Sequence, residues 1–127
     1  MRMPTKAAAS LALAIAALAT QAGAALADSR DVAASFAYRL QSQTWSQGNG
    51  TAALDFACNQ SESYTVTLWS SGVFSDSPVG AYDDTCDGNS HHFSWGSLDS
   101  GNYYLVFTKG DDGVTVTGTG TISWPTQ

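Results

Sequence analysis

Apolar and polar side chains alternate along most of the chain after residue 27, and this pattern predicts β-strands. Side chains that alternate with a period of two lie on opposite faces of a strand, so that one face is buried and the other meets water. The alternation is clear in five segments, 36–41, 54–58, 64–69, 91–95 and 114–124. A sixth segment, 103–108, is apolar on both faces and is typical of a central strand.

The segment 70–90 breaks this pattern, because it is rich in Gly, Ser and Asp and contains Pro78. It predicts a long loop with a short edge strand around 79–82, since proline confines a strand to the edge of a sheet. After Ala27, the helical spacing of apolar residues is found only as a weak start at 29–34. About seven short strands at intervals of about 8 to 12 residues predict an all-β fold, an antiparallel β-sandwich.

The first 27 residues have the pattern of a secretory signal peptide. Arg2 and Lys6 precede an apolar run over 7–20, and small residues with A-x-A spacing follow up to Ala27. The run is shorter than the ~20 residues that a membrane-spanning helix needs. We therefore expect cleavage after Ala27, or alternatively after Ala24. The expected product is a secreted, extracellular protein of one domain, 28–127, without a membrane anchor, and the Ala-rich leader resembles those of actinobacterial secreted proteins.

Composition narrows the choice of partner. The chain is 43% hydrophobic and only 13% charged, about half the charged content of an average globular protein. This excludes a coiled coil and a highly charged disordered tail. Residues 28–127 keep three basic and all eleven acidic residues, for a formal charge of −8. Such an excess of acidic side chains argues against nucleic acid as a partner.

The only two cysteines, Cys58 and Cys86, predict one disulfide bond, because disulfides form and persist in exported proteins. In the chain-entropy account a bridge that closes about 28 residues stabilises the fold by about 3.5 kcal/mol. A reactive thiol or a thiolate metal site is the alternative, but the chain has no C-x-x-C motif.

The stretch Asp99-Ser-Gly101-Asn-Tyr103 resembles the D-x-G-x-Y stretch of immunoglobulin-like domains. In those domains a tyrosine near the start of strand F bonds back to the backbone and stabilises a corner of the sandwich. The resemblance implies that Tyr103 is the corner residue here, with Asp99 and Gly101 shaping the turn before it.

Cys58 followed by Trp69 is also similar to the strand B cysteine and strand C tryptophan of that fold. The pattern then departs, because Leu105 stands where immunoglobulin domains have their second cysteine. The segment 64–116 in addition resembles the small jelly-roll-like sandwiches appended to secreted bacterial peptidases. These resemblances imply an immunoglobulin-like or jelly-roll-like sandwich and no particular activity.

An acidic cluster makes calcium a candidate ligand. Asp83, Asp84 and Asp87 lie close together in a segment with a glycine, and hard oxygen ligands are what Ca²⁺ prefers. The spacing is similar to the first half of an EF-hand loop, but Ser94 stands where the bidentate glutamate is needed. A loop of solvated acidic side chains, held by the disulfide, is the alternative. We expect no other cofactor.

Catalytic patterns are weak. His91 and His92 are adjacent, so that on a strand they point to opposite faces and cannot converge on one metal ion. The chain contains no G-x-S-x-G motif, and 100 residues of sandwich rarely supply a cleft with two catalytic carboxylates. The sequence therefore predicts a protein that is not an enzyme.

The predicted function is binding of an extracellular partner through a loop, as an inhibitor or a cell-surface module. The segment 70–90 is the predicted contact, with Asp76, Tyr82, Asp83 and Asp84 as the binding-loop residues. A carbohydrate-binding module that stacks aromatic rings on polysaccharide is the alternative. Its candidate aromatic residues are Trp45, Trp69, Trp95, Trp124, Tyr82 and Tyr104.

Overall fold

A computed structural model describes residues 28–127, and the predicted signal peptide lies outside these residues. Residues 28–127 form nine β-strands and no helix. The predicted antiparallel β-sandwich is thus confirmed, with nine strands instead of about seven. Within this part of the chain, no helix is long and apolar enough to cross a membrane.

The nine strands are numbered in chain order. They are β1 Asp28–Phe36, β2 Arg39–Gln41, β3 Trp45–Gln47, β4 Gly50–Cys58, β5 Ser63–Ser71, β6 Ser77–Thr85, β7 Ser90–Leu98, β8 Gly101–Thr108 and β9 Val116–Trp124.

The strands form two sheets that stack face to face. The first sheet has the order β1-β9-β4-β7, and the second has the order β2-β8-β5-β6, with the short β3 also paired to β8. All of these pairs are antiparallel. In immunoglobulin constant domains the last two strands share a sheet, whereas β8 and β9 lie in different sheets. The resemblance to that family therefore does not extend to the connectivity of the last strand.

The core lies between the two sheets and is centred on aromatic rings. Phe107 of β8 lies 5.1 Å from Phe56 and 5.6 Å from Phe36, measured between ring centroids. The predicted inward face of β5, formed by Tyr64, Val66 and Leu68, is buried. Burying a large apolar side chain contributes about 1.5 to 3 kcal/mol, so these positions dominate the stability of the sandwich.

The first strand was not predicted, and the segment 36–41 is not a single strand. β1 pairs with β9 from Phe36 opposite Val116 to Asp28 opposite Trp124. The chain then changes sheet, which leaves Tyr38 62% exposed between β1 and β2. Pairing with β9 along the whole strand outweighs the helical preference of the alanines at 33 and 34.

The predicted loop 70–90 is largely a strand, which corrects the prediction. Ser77–Thr85 forms β6, an edge strand of nine residues, and only 72–76 and 86–89 lie outside regular strands. Pro78 is tolerated because β6 has a partner, β5, on one side only. The register shifts next to Trp69, where Pro78 pairs with it.

The disulfide between Cys58 and Cys86 is confirmed, with a distance of 5.0 Å between the Cα atoms. Cys58 ends β4 in the first sheet, and Cys86 follows β6 in the second sheet. The bridge therefore ties the two sheets together. At the opposite end of β7, the Tyr103 hydroxyl donates to the Asp99 carbonyl oxygen over 2.7 Å, a bond back to the backbone across the turn that leads into Gly101 and β8.

Candidate functional site

The turn between β5 and β6 carries two large apolar side chains in water. Val73 is 94% exposed and Phe74 is 99% exposed. Both lie between Gly72 and Ser75, in a turn that is otherwise polar. We call Val73 and Phe74 the hairpin tip. Adjacent apolar side chains that are this exposed contribute nothing to the core, which makes them a candidate contact for a partner.

The hairpin tip stands on a turn with a fixed shape. The Asp76 carboxylate accepts a hydrogen bond from the Gly72 backbone N–H over 3.3 Å and another from the Tyr104 hydroxyl over 2.6 Å. A Cβ atom on Gly72 would collide with the carbonyl oxygen of Ser75, so the turn requires glycine there. The tip is thus held by bonds from residues that flank it.

Tyr104 connects this turn to the centre of the second sheet. It lies on β8, and its ring is nearly parallel to that of Trp69 on β5, with an angle of 8° and 6.3 Å between centroids. Both side chains are on the outer face of the sheet, where Tyr104 is only 6% exposed. The hydrogen bond to Asp76 raises the pKa of Tyr104 above its usual value, so the hydroxyl stays protonated and keeps donating.

The structure places the predicted binding-loop residues in two different settings. Asp76 lies in the turn below the hairpin tip, whereas Tyr82, Asp83 and Asp84 lie on strand β6. The Tyr82 hydroxyl donates to the Ser94 carbonyl oxygen of β7 over 2.6 Å, and Tyr82 is 40% exposed. The role of these four residues in binding stays a prediction. Three of them lie on a strand, however, and not in the loop that the sequence predicted.

The structure separates the three acids proposed to bind calcium, and calcium binding stays a prediction. Asp83 and Asp84 are neighbours on β6 and point to opposite faces, with Asp83 accepting from Thr65 and Asp84 from Tyr64. Asp87 lies outside the strand and contacts His91. Within residues 28–127, no group of three His, Cys, Asp or Glu side chains is placed to hold a metal ion.

His91 occupies the space between two of those acids. Its Nδ1 lies 2.8 Å from Asp84, and its Nε2 lies 3.0 Å from Asp87. Both ring nitrogens therefore face carboxylate oxygens, first of all that of Asp84, which raises the pKa of His91 above its usual value. The backbone N–H of Asn89 and then His91 lower the pKa of Asp87. We call His91, Asp84 and Asp87 the histidine clamp.

His92 lies apart from the clamp. It points to the other face of β7, where its Nδ1 lies 2.7 Å from Asp55. Because the two histidines point to opposite faces of the strand, as predicted, they do not share a site.

Most of the candidate aromatic platform is core. Trp45, Trp95 and Trp124 are at most 6% exposed, and Trp45 stacks on Trp124 with 5.2 Å between centroids. Of the remaining candidates, Trp69 is half-buried beside Tyr104. Three of the four tryptophans fill the interior of the sandwich, so they do not form a flat platform on its surface.

Among the hollows on the surface of residues 28–127, two are of a size to be considered as binding sites. An open groove of about 710 Å³ runs beside Lys109, but the Lys109 ammonium is already paired with Asp112 at 2.6 Å and Glu62 at 3.4 Å. The second hollow, of about 420 Å³, opens between β1 and β2. It is lined by Arg30, Asp31, Val32, Ala33, Leu40, Gln41, Ser42, Gln43, Trp45, Phe107 and Ile122.

The hairpin tip and the hollow beside Arg30 were both missed from the sequence. A signal for the tip was present, because Val73 and Phe74 are the only large apolar pair in an otherwise polar stretch. Arg30 gave no such signal, since the alternation that turns it inward was hidden by the small residues of β1.

Comparison with known proteins supports the fold. No protein-family model matches the chain, and no curated protein matches it. Among solved structures, PliG of Aeromonas hydrophila, a periplasmic inhibitor of g-type lysozyme, is similar, with a TM-score of 0.50 and 16% identity. The match covers 75% of this chain and 84% of that chain. At this identity, the likeness shows a shared fold.

Two further structures are less similar. The Yersinia pseudotuberculosis-derived mitogen has a TM-score of 0.48 and 7% identity, with 79% of this chain and 86% of that chain covered. A protein of the disulfide-linked pili that form Bacillus endospore appendages has a TM-score of 0.35 and 12% identity, with 86% and 100% covered.

Proposed function

We propose that the protein is an exported, non-enzymatic binding protein that contacts an extracellular protein partner through its hairpin tip. The observation that carries the proposal is the exposure of Val73 and Phe74, at 94% and 99%, on a turn that is held in one shape. Export is supported by the Cys58–Cys86 disulfide and by the signal-like pattern of residues 1–27.

A preformed tip favours binding because less conformational entropy is lost when the partner is engaged. The Asp76 bonds to Gly72 and Tyr104 hold the turn before any partner arrives. Large apolar side chains at the centre of an interface supply most of its binding energy. The formal charge of −8 over residues 28–127 further favours a basic partner, whose approach it would accelerate.

The finer proposal is inhibition, with the tip inserted into the cleft of a secreted enzyme. A narrow hairpin that ends in a valine and a phenylalanine has the shape of a plug. PliG shares the fold and inhibits a g-type lysozyme, so a lysozyme of that type is the first enzyme to test. Basic secreted peptidases and c-type lysozymes complete the panel.

The experiment measures affinity by calorimetry and inhibition by residual enzyme activity. The test variant is Val73→Ser with Phe74→Ser. Its matched control is Tyr38→Ser with Val114→Ser, two exposed apolar residues from loops near the other end of β8. We expect one enzyme to bind and the tip variant to weaken binding by about tenfold or more, with the control unchanged. The proposal is contradicted if the tip variant binds an enzyme with the same affinity as the unchanged protein. It is also contradicted if no enzyme of the panel binds.

Polysaccharide binding is the second candidate, and the parallel rings of Trp69 and Tyr104 on the outer sheet face favour it. The test is retention on insoluble cellulose, chitin and starch. Retention that Trp69→Ala abolishes, while the tip variant leaves it unchanged, would replace protein binding as the proposed function.

A further inference from the structure

Arg30 lies on the inward face of β1 and is half-buried. It lies on β1 with the same parity as the buried Ala34 and Phe36, and it pairs with Ile122, which is only 2% exposed. Since side chains on one face of a strand repeat every second residue, the Arg30 side chain starts from the inward face of β1, and its guanidinium lies at the open edge between β1 and β2.

The 420 Å³ hollow at this edge has an apolar interior and a polar mouth. Its volume lies within the range of about 300 to 1,000 Å³ that is typical of ligand pockets. The interior is formed by Val32, Leu40, Phe107, Ile122 and Trp45. Val32 and Leu40 are only partly buried against the core, so the hollow continues the hydrophobic interior towards solvent.

The Arg30 guanidinium at the mouth is poorly satisfied by the protein. It donates to the Thr44 carbonyl oxygen over 3.5 Å, at the limit of a hydrogen bond, and lies 5.5 Å above the centre of the Trp124 ring. Within residues 28–127 it forms no ion pair, although Asp31 is its neighbour and also lines the hollow. A guanidinium has five N–H donors, so most of them remain for another acceptor.

These features match one class of small molecule. A carboxylate fits the planar fork of a guanidinium through two parallel hydrogen bonds. An alkyl chain fits the apolar interior, because its burial is favourable in proportion to the apolar area removed from water. We propose that this hollow binds an alkyl monocarboxylate, with the carboxylate on Arg30 and the chain between the sheets. This site lies on another edge from the hairpin tip and does not depend on the proposed function.

The test titrates decanoate into the protein by calorimetry and follows tryptophan fluorescence, since Trp45 lines the hollow. The matched neutral ligand is 1-decanol, which has the same chain without the charge. The test variant is Arg30→Gln, and the matched control is Arg39→Gln, the other arginine of residues 28–127, which is exposed. A filling variant, Leu40→Trp, occupies the interior without changing any charge.

We expect decanoate to bind more tightly than 1-decanol, and Arg30→Gln to weaken decanoate binding by about tenfold while Arg39→Gln leaves it unchanged. Leu40→Trp should abolish binding in a protein whose circular dichroism is unaltered. The proposal is overturned if decanoate at about 1 mM does not bind, if both ligands bind equally, or if both arginine variants behave alike. If Arg30→Gln fails to fold, the ligand comparison and the filling variant decide.

Discussion

The two open edges of the sandwich are built in different ways. At the edge between β6 and β7, several bonds cross from one sheet to the other. They are the Cys58–Cys86 disulfide, the histidine clamp, the Trp95 indole donating to the Gly80 carbonyl oxygen and the Tyr82 hydroxyl donating to that of Ser94. At the edge between β1 and β2, the hollow below Arg30 takes the place of such bonds. One edge is closed by cross-links, and the other is left open.

The links between the sheets that supplement the shared core are therefore concentrated at one edge. Sheet edges expose unpaired backbone groups and interior apolar surface, and proteins protect them in several ways. Here the covalent link and the aromatic contacts of Tyr82 with Phe93 and Trp95 are on the same side. Substitutions at the closed edge should therefore cost more than equivalent substitutions at the open edge.

The largest effect is expected from removing the disulfide. Replacing Cys58 and Cys86 together by alanine should lower the free energy of unfolding by about 3.5 kcal/mol, because the unfolded chain regains the freedom of a closed segment of about 28 residues. Urea titration measures the loss. The unchanged protein with a reducing agent should approach the variant, whereas the variant should not respond to that agent. A loss below about 1 kcal/mol would mean that the closed edge does not depend on its covalent link.

Adding volume compares the two edges directly. A Cβ atom on Gly80 would lie 3.3 Å from the Trp95 side chain, so Gly80→Leu should overpack the closed edge and cost about 1 to 3 kcal/mol. Leu40→Phe adds volume beside the 420 Å³ hollow and should cost less than about 0.5 kcal/mol. Chemical denaturation of both variants checks the order. Equal losses would contradict the difference between the edges.

A single hydrogen bond across the closed edge should have a smaller effect. Tyr82→Phe removes the donor to the Ser94 carbonyl oxygen and should cost about 1 kcal/mol. The matched control is Tyr38→Phe, because Tyr38 lies in the connection between β1 and β2 and is 62% exposed. Thermal unfolding distinguishes them, and an equal shift in both variants would show that the bond to Ser94 adds nothing.

The smallest effect is expected from pH, through the histidine clamp. Because the folded state raises the pKa of His91 above 6.5, the clamp stabilises fully below that pH and its contribution is lost as the pH rises through the raised pKa. The lowered pKa of Asp87 acts in the other direction, with a contribution present above 3.8 and lost as the pH falls through its lowered pKa. Stability from the clamp is therefore greatest between these limits.

We accordingly expect the melting temperature of the unchanged protein to fall between pH 6 and pH 9. The melting temperature of His91→Gln should fall less over the same range. The control is His92→Gln, which leaves the clamp intact and should retain the full decrease. A pH dependence that His91→Gln leaves unchanged would contradict the role of the clamp.

The sequence predicted those parts of the fold in which alternation and burial agree. The side chains of Tyr64, Val66 and Leu68 on β5 face the core, as the alternation predicts, and β8 is a central strand that is buried on both faces, as its apolar sequence predicts. The disulfide followed from the two cysteines together with the expected export of the protein. These features depend on the local alternation of side chains or on the number of cysteines, and the sequence shows both directly.

The rest depends on partners that are distant in the chain. β1 consists mainly of small and polar residues, and only its pairing with β9 makes it a strand. β6 contains Pro78 and two acids, yet pairing on one side is enough to order it as an edge strand. The predicted edge strand at 79–82 ended before Asp83 and Asp84, so the sequence did not show that the two carboxylates lie on opposite faces of β6.

The bonds that shape the β5–β6 turn come from Gly72, Asp76 and Tyr104, while Val73 and Phe74 take no part in the core. Under the proposed function, recognition and folding are therefore assigned to different residues of the same hairpin. The two tip side chains can be exchanged for others without disturbing the scaffold. Such a division lets descendants of one ancestral domain acquire new targets by changing two codons, and it makes the hairpin a natural place to graft a chosen specificity.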